Sequence, residues 1–138
     1  MTAHRTLLPP GWPRPKGYAN GILAEGRTVW TGGIVGWDTR EEFPDADMTG
    51  QFRRVLESTL AILAEAGARP EHIVRMTWYV TDRQEYLHSL PAMGAAYREI
   101  IGRHFPAMAV VQVVALMELA AKIEIETTAV IPADEDHG

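Results

Sequence analysis

The stretch AGARPEHIVRMTWYVTD, Ala66 to Asp82, carries a helix stop, a strand and a helix start in succession, and this punctuation limits the chain to few architectures. Before it, Phe52, Val55, Leu56, Leu60 and Leu63 recur at helical spacing. The spacing predicts a helix over Gln51–Ala66, with Thr49 or Asp47 as N-cap and Gly67 as its stop. HIVRMTWYVT is β-branched and aromatic, as a strand should be, and Asp82 followed by Glu85 is a capping-box signature that opens a second helical region. Pro91 lies inside that region, so a first turn and then a main helix from about Leu90 to Gly102 is expected, with Met93, Tyr97, Ile100 and Ile101 facing inward.

The flanks supply further strands. GILAEGRTVWTGGIVGW reads as a hairpin: Ile22–Ala24, a turn at Glu25-Gly26, then Thr28–Trp37 interrupted by Gly32 and Gly33. Met108–Leu116 and Lys122–Ile131 close the fold. The order is ββαβαββ, with a short strand possible before it. The alternation predicts an α+β domain, both helices packed on one face of a mixed sheet. Both faces of the late strands are rich in apolar residues, so a lone subunit would expose apolar surface, and self-association is expected to cover it. The segment 1–16 carries Pro9, Pro10, Pro13 and Pro15 and should lie extended on the surface; one domain spans 17–131; residues 132–138, with three acids among them, form an acidic tail.

At 138 residues the chain suits one domain rather than two. No apolar run is long enough to span a bilayer, and the prolines break up the N-terminus before a signal-peptide length is reached. The expectation is a cytoplasmic protein without membrane contact. The absence of cysteine excludes disulfides and thiolate chemistry. A formal charge of −5, with Lys and Arg scattered, argues against nucleic-acid binding. His72 and His104 border elements, His88 is on a helix and His4 and His137 are in the tails, so no pair has metal-ligand spacing, and no metal is expected.

Taken in order, GYANG (Gly17–Gly21), TGGIVGWD (Thr31–Asp38), Gln51, the Ala66–Asp82 stretch, Tyr97, FPA (Phe105–Ala107) and IEIETTAV (Ile123–Val130) resemble the RidA/YjgF family of reactive-intermediate deaminases. The resemblance covers nearly the whole folded chain. It implies a chorismate mutase-like fold, a homotrimer with a barrel-like core, and small-molecule clefts at the subunit interfaces. It also implies hydrolysis of enamines or imines to a carbonyl compound and ammonia, with no cofactor.

Carried over residue by residue, the resemblance makes Tyr18 the cleft tyrosine, Gly33 the strand glycine and Glu124 the carboxylate that positions water. Read without it, KIEIE is an ordinary half-exposed strand in which Glu124 shares a face with Lys122 and Glu126. Val110 matches a backbone position that contacts ligand. Trp37 either helps fill the cleft or simply packs at a strand end.

Two positions depart from the family pattern. Deaminating members read PAR where this chain reads PAM, so Met108 replaces the arginine that grips the substrate carboxylate, and Gly94 stands where a cleft asparagine is found. A guanidinium makes paired, charge-assisted hydrogen bonds to a carboxylate; a thioether makes none. Losing such a clamp weakens carboxylate binding by roughly several hundredfold unless another cation replaces it. Arg103, His104 and Lys122 are the candidates. Two functions follow: a deaminase of altered specificity, acting on an enamine or imine without the usual amino-acid carboxylate, or a trimeric small-molecule binding protein without turnover. Met108 favours the second and Glu124 the first. A nuclease is a poor third on charge.

Overall fold

The computed structural model describes residues 4–133. Along the chain the elements are β1 (Arg5–Leu7), β2 (Gly21–Leu23), β3 (Gly26–Trp30), β4 (Ile34–Val35), α1 (Met48–Glu65), a 3₁₀ turn (Pro70–His72), β5 (Ile73–Val80), α2 (Arg83–Ile100), β6 (Ala107–Gln112) and β7 (Ile123–Pro132). The main sheet runs β3-β7-β5-β6, with β4 also pairing with β7. β5 and β6 are parallel, while β7 is antiparallel to β3, β4 and β5. The architecture is the expected one: α+β, with two helices on one face of a mixed sheet. Beyond residue 133 the expected tail lies outside the described residues.

α1 presents Met48, Phe52, Val55, Leu56 and Leu63 to the sheet, all fully buried. They meet Met76, Val80, Ile123 and Ile125 from β5 and β7, and Met93, Ala96 and Tyr97 from α2, in one core. α1 starts at Met48, earlier than the apolar spacing indicates, with Asp47 as its extended N-cap residue. Gly67 ends it in the left-handed region, at φ 78°. Gly67 N–H and Ala68 N–H donate to Ala64 O and Leu63 O, both at 3.0 Å, the paired bonds that close a helix on a glycine.

Four local expectations are corrected. The predicted hairpin between the strand at Ile22 and the strand at Thr28 does not form: β2 pairs with β1 in a separate two-stranded sheet, and β3 pairs with β7. Glu25-Gly26 therefore passes the chain between sheets rather than folding it back. The strand expected over Thr28–Trp37 is two short pieces, broken at Thr31–Gly33.

Pro91 does not divide α2, which runs unbroken from Arg83. The carbonyl that a proline at this position leaves unbonded belongs to Leu87, four residues earlier. Leu87 and Pro91 both lie on the exposed side, where water can take that bond. Asp82 Oδ1 caps α2 through Gln84 N and Glu85 N, at 2.9 and 3.1 Å.

β6 ends at Gln112 instead of Leu116. There the Gln112 side chain turns aside and its Oε1 accepts from Arg83 N at 2.7 Å, satisfying a first-turn amide of α2. The chain beyond it leaves the sheet, and Val114, Met117 and Leu119 stand in solvent at 103%, 92% and 103% of full exposure. The sheet face away from the helices carries Glu124, Glu126 and Tyr79. Much of the exposed apolar surface predicted for that face is found on this loop instead.

Candidate functional site

The segment around Tyr18 is held along the free edge of β6. Ala19 N–H donates to Pro106 O at 2.9 Å, and Ala19 forms a parallel bridge with Ala107. Behind this edge, between α2 and the helix-side face of β5 and β6, lies a cavity of about 550 Å³, a size that suits a small-molecule site. Tyr18, Gly94, Met108 and Val110 all line it. Its wall is aromatic: Tyr97 stacks on Phe105, with ring centroids 5.9 Å apart, and meets Trp78 at 6.4 Å. Burial pushes the pKa of the Tyr97 and Tyr86 hydroxyls up from the ordinary tyrosine value. The Tyr97 hydroxyl donates to His104 O, fixing the ring against the loop after α2.

Gly33 and Glu124 are placed elsewhere, together. β4 pairs with β7 so that Val35 faces Glu124, which brings the preceding glycine against the Glu124 side chain. A Cβ at Gly33 would overlap Glu124 Oε2. The carboxylate therefore occupies the space that glycine leaves open. On the same face Tyr79 donates to Glu126 Oε1, and that bond raises the pKa of the phenol. Glu124, Glu126, Tyr79 and the loop residues Ala115–Met117 surround a hollow of about 230 Å³.

One chain thus carries two clusters, Tyr18 with Gly94, Met108 and Val110, and Gly33 with Glu124. Trp37 joins neither. It packs on Phe43 at 6.0 Å and borders a separate hollow with Asp38 and Arg54. Among the described residues, no group of three or more His, Asp or Glu side chains is placed to hold a metal ion. No helix among them is long and apolar enough to cross a membrane.

A family model described as Endoribonuclease L-PSP matches residues 13–131. The chain belongs to the RidA/YjgF family. The structure of a Rid family protein of unknown function, YyfB from Yersinia pestis, superposes with a TM-score of 0.82 at 28% identity, covering 94% of this chain and 100% of that one. Among curated relatives, the 2-iminobutanoate/2-iminopropanoate deaminase of Salmonella typhimurium is 33% identical over 108 residues, 76% of this chain and 80% of its own. Protein DfrA of Myxococcus xanthus is 37% identical over 93 residues, a match that spans 64% of either chain.

With family membership settled, the three cations put forward as substitutes for an arginine at position 108 can be sorted by geometry. Lys122 is engaged: its Nζ lies 2.9 and 3.1 Å from the two oxygens of Glu85. The same carboxylate accepts from Met48 N at 3.1 Å, so it ties the start of β7 to both helices. His104 does not line the cavity; Arg103 does. Arg98 and Lys16, not singled out from the sequence, line it as well. Arg98 could have been found, since it follows Gly94 by four residues and so shares its helix face. Lys16 could not, because only the tertiary path of the chain brings it there. Gln51, one of the family-like positions, is buried and structural. Its Nε2 donates to Asp45 O and Ala120 O, and its Oε1 accepts from Lys122 N at 2.8 Å.

Proposed function

We propose that this RidA/YjgF protein is a homotrimeric, cytoplasmic deaminase that hydrolyses an enamine or imine other than a short 2-imino acid, without a cofactor. The observation that carries the reading is the pairing of Gly33 with Glu124, which presents a carboxylate on the open face of the sheet, together with a ligand-sized cavity lined by Met108, the position to which the sequence resemblance assigns an arginine. The deaminase name of the Salmonella relative supports the reaction class.

In this reading a second copy brings its Glu124 to the cavity of the first. Val114, Met117 and Leu119 would then be buried against a neighbour, and the gain in buried apolar area favours assembly. Catalysis requires little chemistry from the protein. A water hydrogen-bonded to Glu124 adds its oxygen to the C=N carbon while the nitrogen takes a proton. In the resulting carbinolamine the hydroxyl proton passes to nitrogen, directly or through water, as the C–N electron pair leaves on nitrogen and the O–H pair forms C=O, releasing ammonia and the carbonyl product. An enamine first moves a proton from nitrogen to carbon and enters as the imine. Positioning and exclusion of bulk water supply the rate.

A second reading is favoured by Met108 itself, whose half-buried thioether packs against the core and offers a carboxylate no bond: the same trimer binds a small molecule and turns nothing over.

The two are separated by generating imines in situ with amine and amino-acid oxidases. The expected result is faster hydrolysis of an aromatic imine than in buffer, little effect on 2-iminopropanoate, and a gain on the latter in Met108→Arg of roughly a hundredfold. If no imine is hydrolysed faster than in buffer by the natural protein, the deaminase reading fails and the binding reading stands. An assembly with a mass near the single-chain 15.3 kDa would remove both.

A further inference from the structure

The chain has 18 acidic and 13 basic residues, yet the residues that line the α2–β6 cavity include Lys16, Arg98 and Arg103 and no Asp or Glu. An adjoining hollow of about 350 Å³ shares Gly17, Tyr18, Arg103 and Phe105 with it, adds Arg14, and again has no acid. Among the described residues, Lys16, Arg98 and Arg103 take no part in the ion pairs, which involve Arg40, Arg53, Arg54, Arg69 and Lys122. In an acidic protein, a recess that gathers cations and leaves them without a protein partner is built to receive an anion.

Gly94 sharpens this. A Cβ built there would lie 3.4 Å from Arg98 Nη1, an ordinary contact distance, so the glycine marks where the guanidinium lies beside the cavity. Met108 offers no cation from the strand side, and Arg98, beside Gly94, offers one from the helix side. Arg98 occupies the last turn of α2, where the helix dipole favours positive charge, and Arg103 lies just beyond the helix end. Between the two sides stands the aromatic wall of Trp78, Tyr97 and Phe105.

We propose that this cavity binds an aromatic acid, its ring against Tyr97, Phe105 and Trp78 and its anionic group at Arg98 and Arg103. The inference rests on reading the cavity as the substrate side of the site. It names the class of substrate or ligand: one whose acid group is read from α2 and not from the strand position of Met108.

The test is binding without turnover. 3-Phenylpropanoate and 3-phenylpropanamide, equal in ring and length and differing in charge, are titrated calorimetrically into the wild type, Arg98→Gln, Arg103→Gln and the double variant. The wild type should prefer the acid by about tenfold, the preference should shrink as salt is added, and the double variant should bind the two compounds equally while keeping the wild-type circular dichroism. Equal binding of the two compounds, or of neither, by the wild type overturns the proposal, as does a preference that persists in the folded double variant. The salt titration needs no variant and stands if one fails to fold. Acid preference without any imine hydrolysis would sink the deaminase reading alone. Hydrolysis without acid preference would sink this inference alone.

Discussion

The two faces of the central sheet do opposite work. On the helix side, alternate residues of β5 and β7 are sealed: Met76, Ile123 and Ile125 reach zero exposure beneath Phe52, Leu56 and Met93. On the other side the intervening residues, Tyr79, Glu124 and Glu126, remain in contact with water. The proposed site draws on both. The cavity is an extension of the sealed side, where the packing between α2 and β6 stops short, and the carboxylate belongs to the open side. The contrast teaches that one strand period puts the cavity and the Glu124 carboxylate on opposite faces, so that the proposed site needs a second copy of the chain to bring them together.

The largest effect should come from breaking the sealed side. Phe52→Ala leaves a hole beneath Trp78, whose ring centroid lies 4.8 Å from that of Phe52, and should cost about 3–5 kcal/mol in urea unfolding. Glu126→Gln on the open face should stay within about 0.5 kcal/mol. If the two variants unfold at similar denaturant concentrations, the faces do not differ as described.

Next in size is the chemical asymmetry. Glu124→Gln keeps the shape of the side chain against Gly33 but removes the charge that the proposed mechanism uses to order water. It should lower turnover of an accepted imine by about a hundredfold or more, with unchanged thermal midpoint and unchanged assembly mass. A variant as active as the wild type would remove Glu124 from the mechanism.

The smallest effect is the share of the alkaline pH dependence that comes from the sealed side, to which Tyr79 on the open face adds its own. Burial raises the pKa of Tyr97 and Tyr86 above the ordinary 10.0. The contribution of their neutral rings is therefore complete below pH 10. Above it the unfolded chain releases these protons first, so stability falls as pH rises. Tyr97→Phe should flatten that fall while costing about 1 kcal/mol at neutral pH through the lost bond to His104 O. Urea midpoints measured on either side of pH 10 decide it; a fall of equal steepness in the variant would show that Tyr97 does not contribute.

Much of this organisation is legible in residue order. The apolar spacing of α1, its stop at Gly67 and the Asp82 cap are local signals, and the structure has them where the sequence puts them. The alternation of Ile123, Ile125 and Thr127 with Glu124 and Glu126 likewise assigns each side chain of β7 to a face. What misleads is partner choice. β2 and β3 look like a hairpin because they are near in sequence, yet the edge of β7 and the strand β1 offer them longer-range partners. Pro91 looks like a break because its cost depends on whether Leu87 O meets water, which is a matter of which side of α2 faces out. Val114 and Leu116 look like strand because their composition is right, but Gln112 is drawn to the amide of Arg83 and the chain turns away.

The sequence alone determines the alternation of helices and strands in the middle of the chain, the stop of α1 at Gly67, the Asp82 cap of α2, the faces of β7 and the presence of Met108 and Gly94. Each depends on a residue and its near neighbours, or on its place in a pattern. Only the tertiary structure decides that Gly94 and Arg98 share a cavity with Lys16, that Lys122 is committed to Glu85, and that Gly33 and Glu124 sit apart from Met108. Those relations join residues far apart in the chain. They are fixed by how the helices pack and how β7 pairs, not by any local preference.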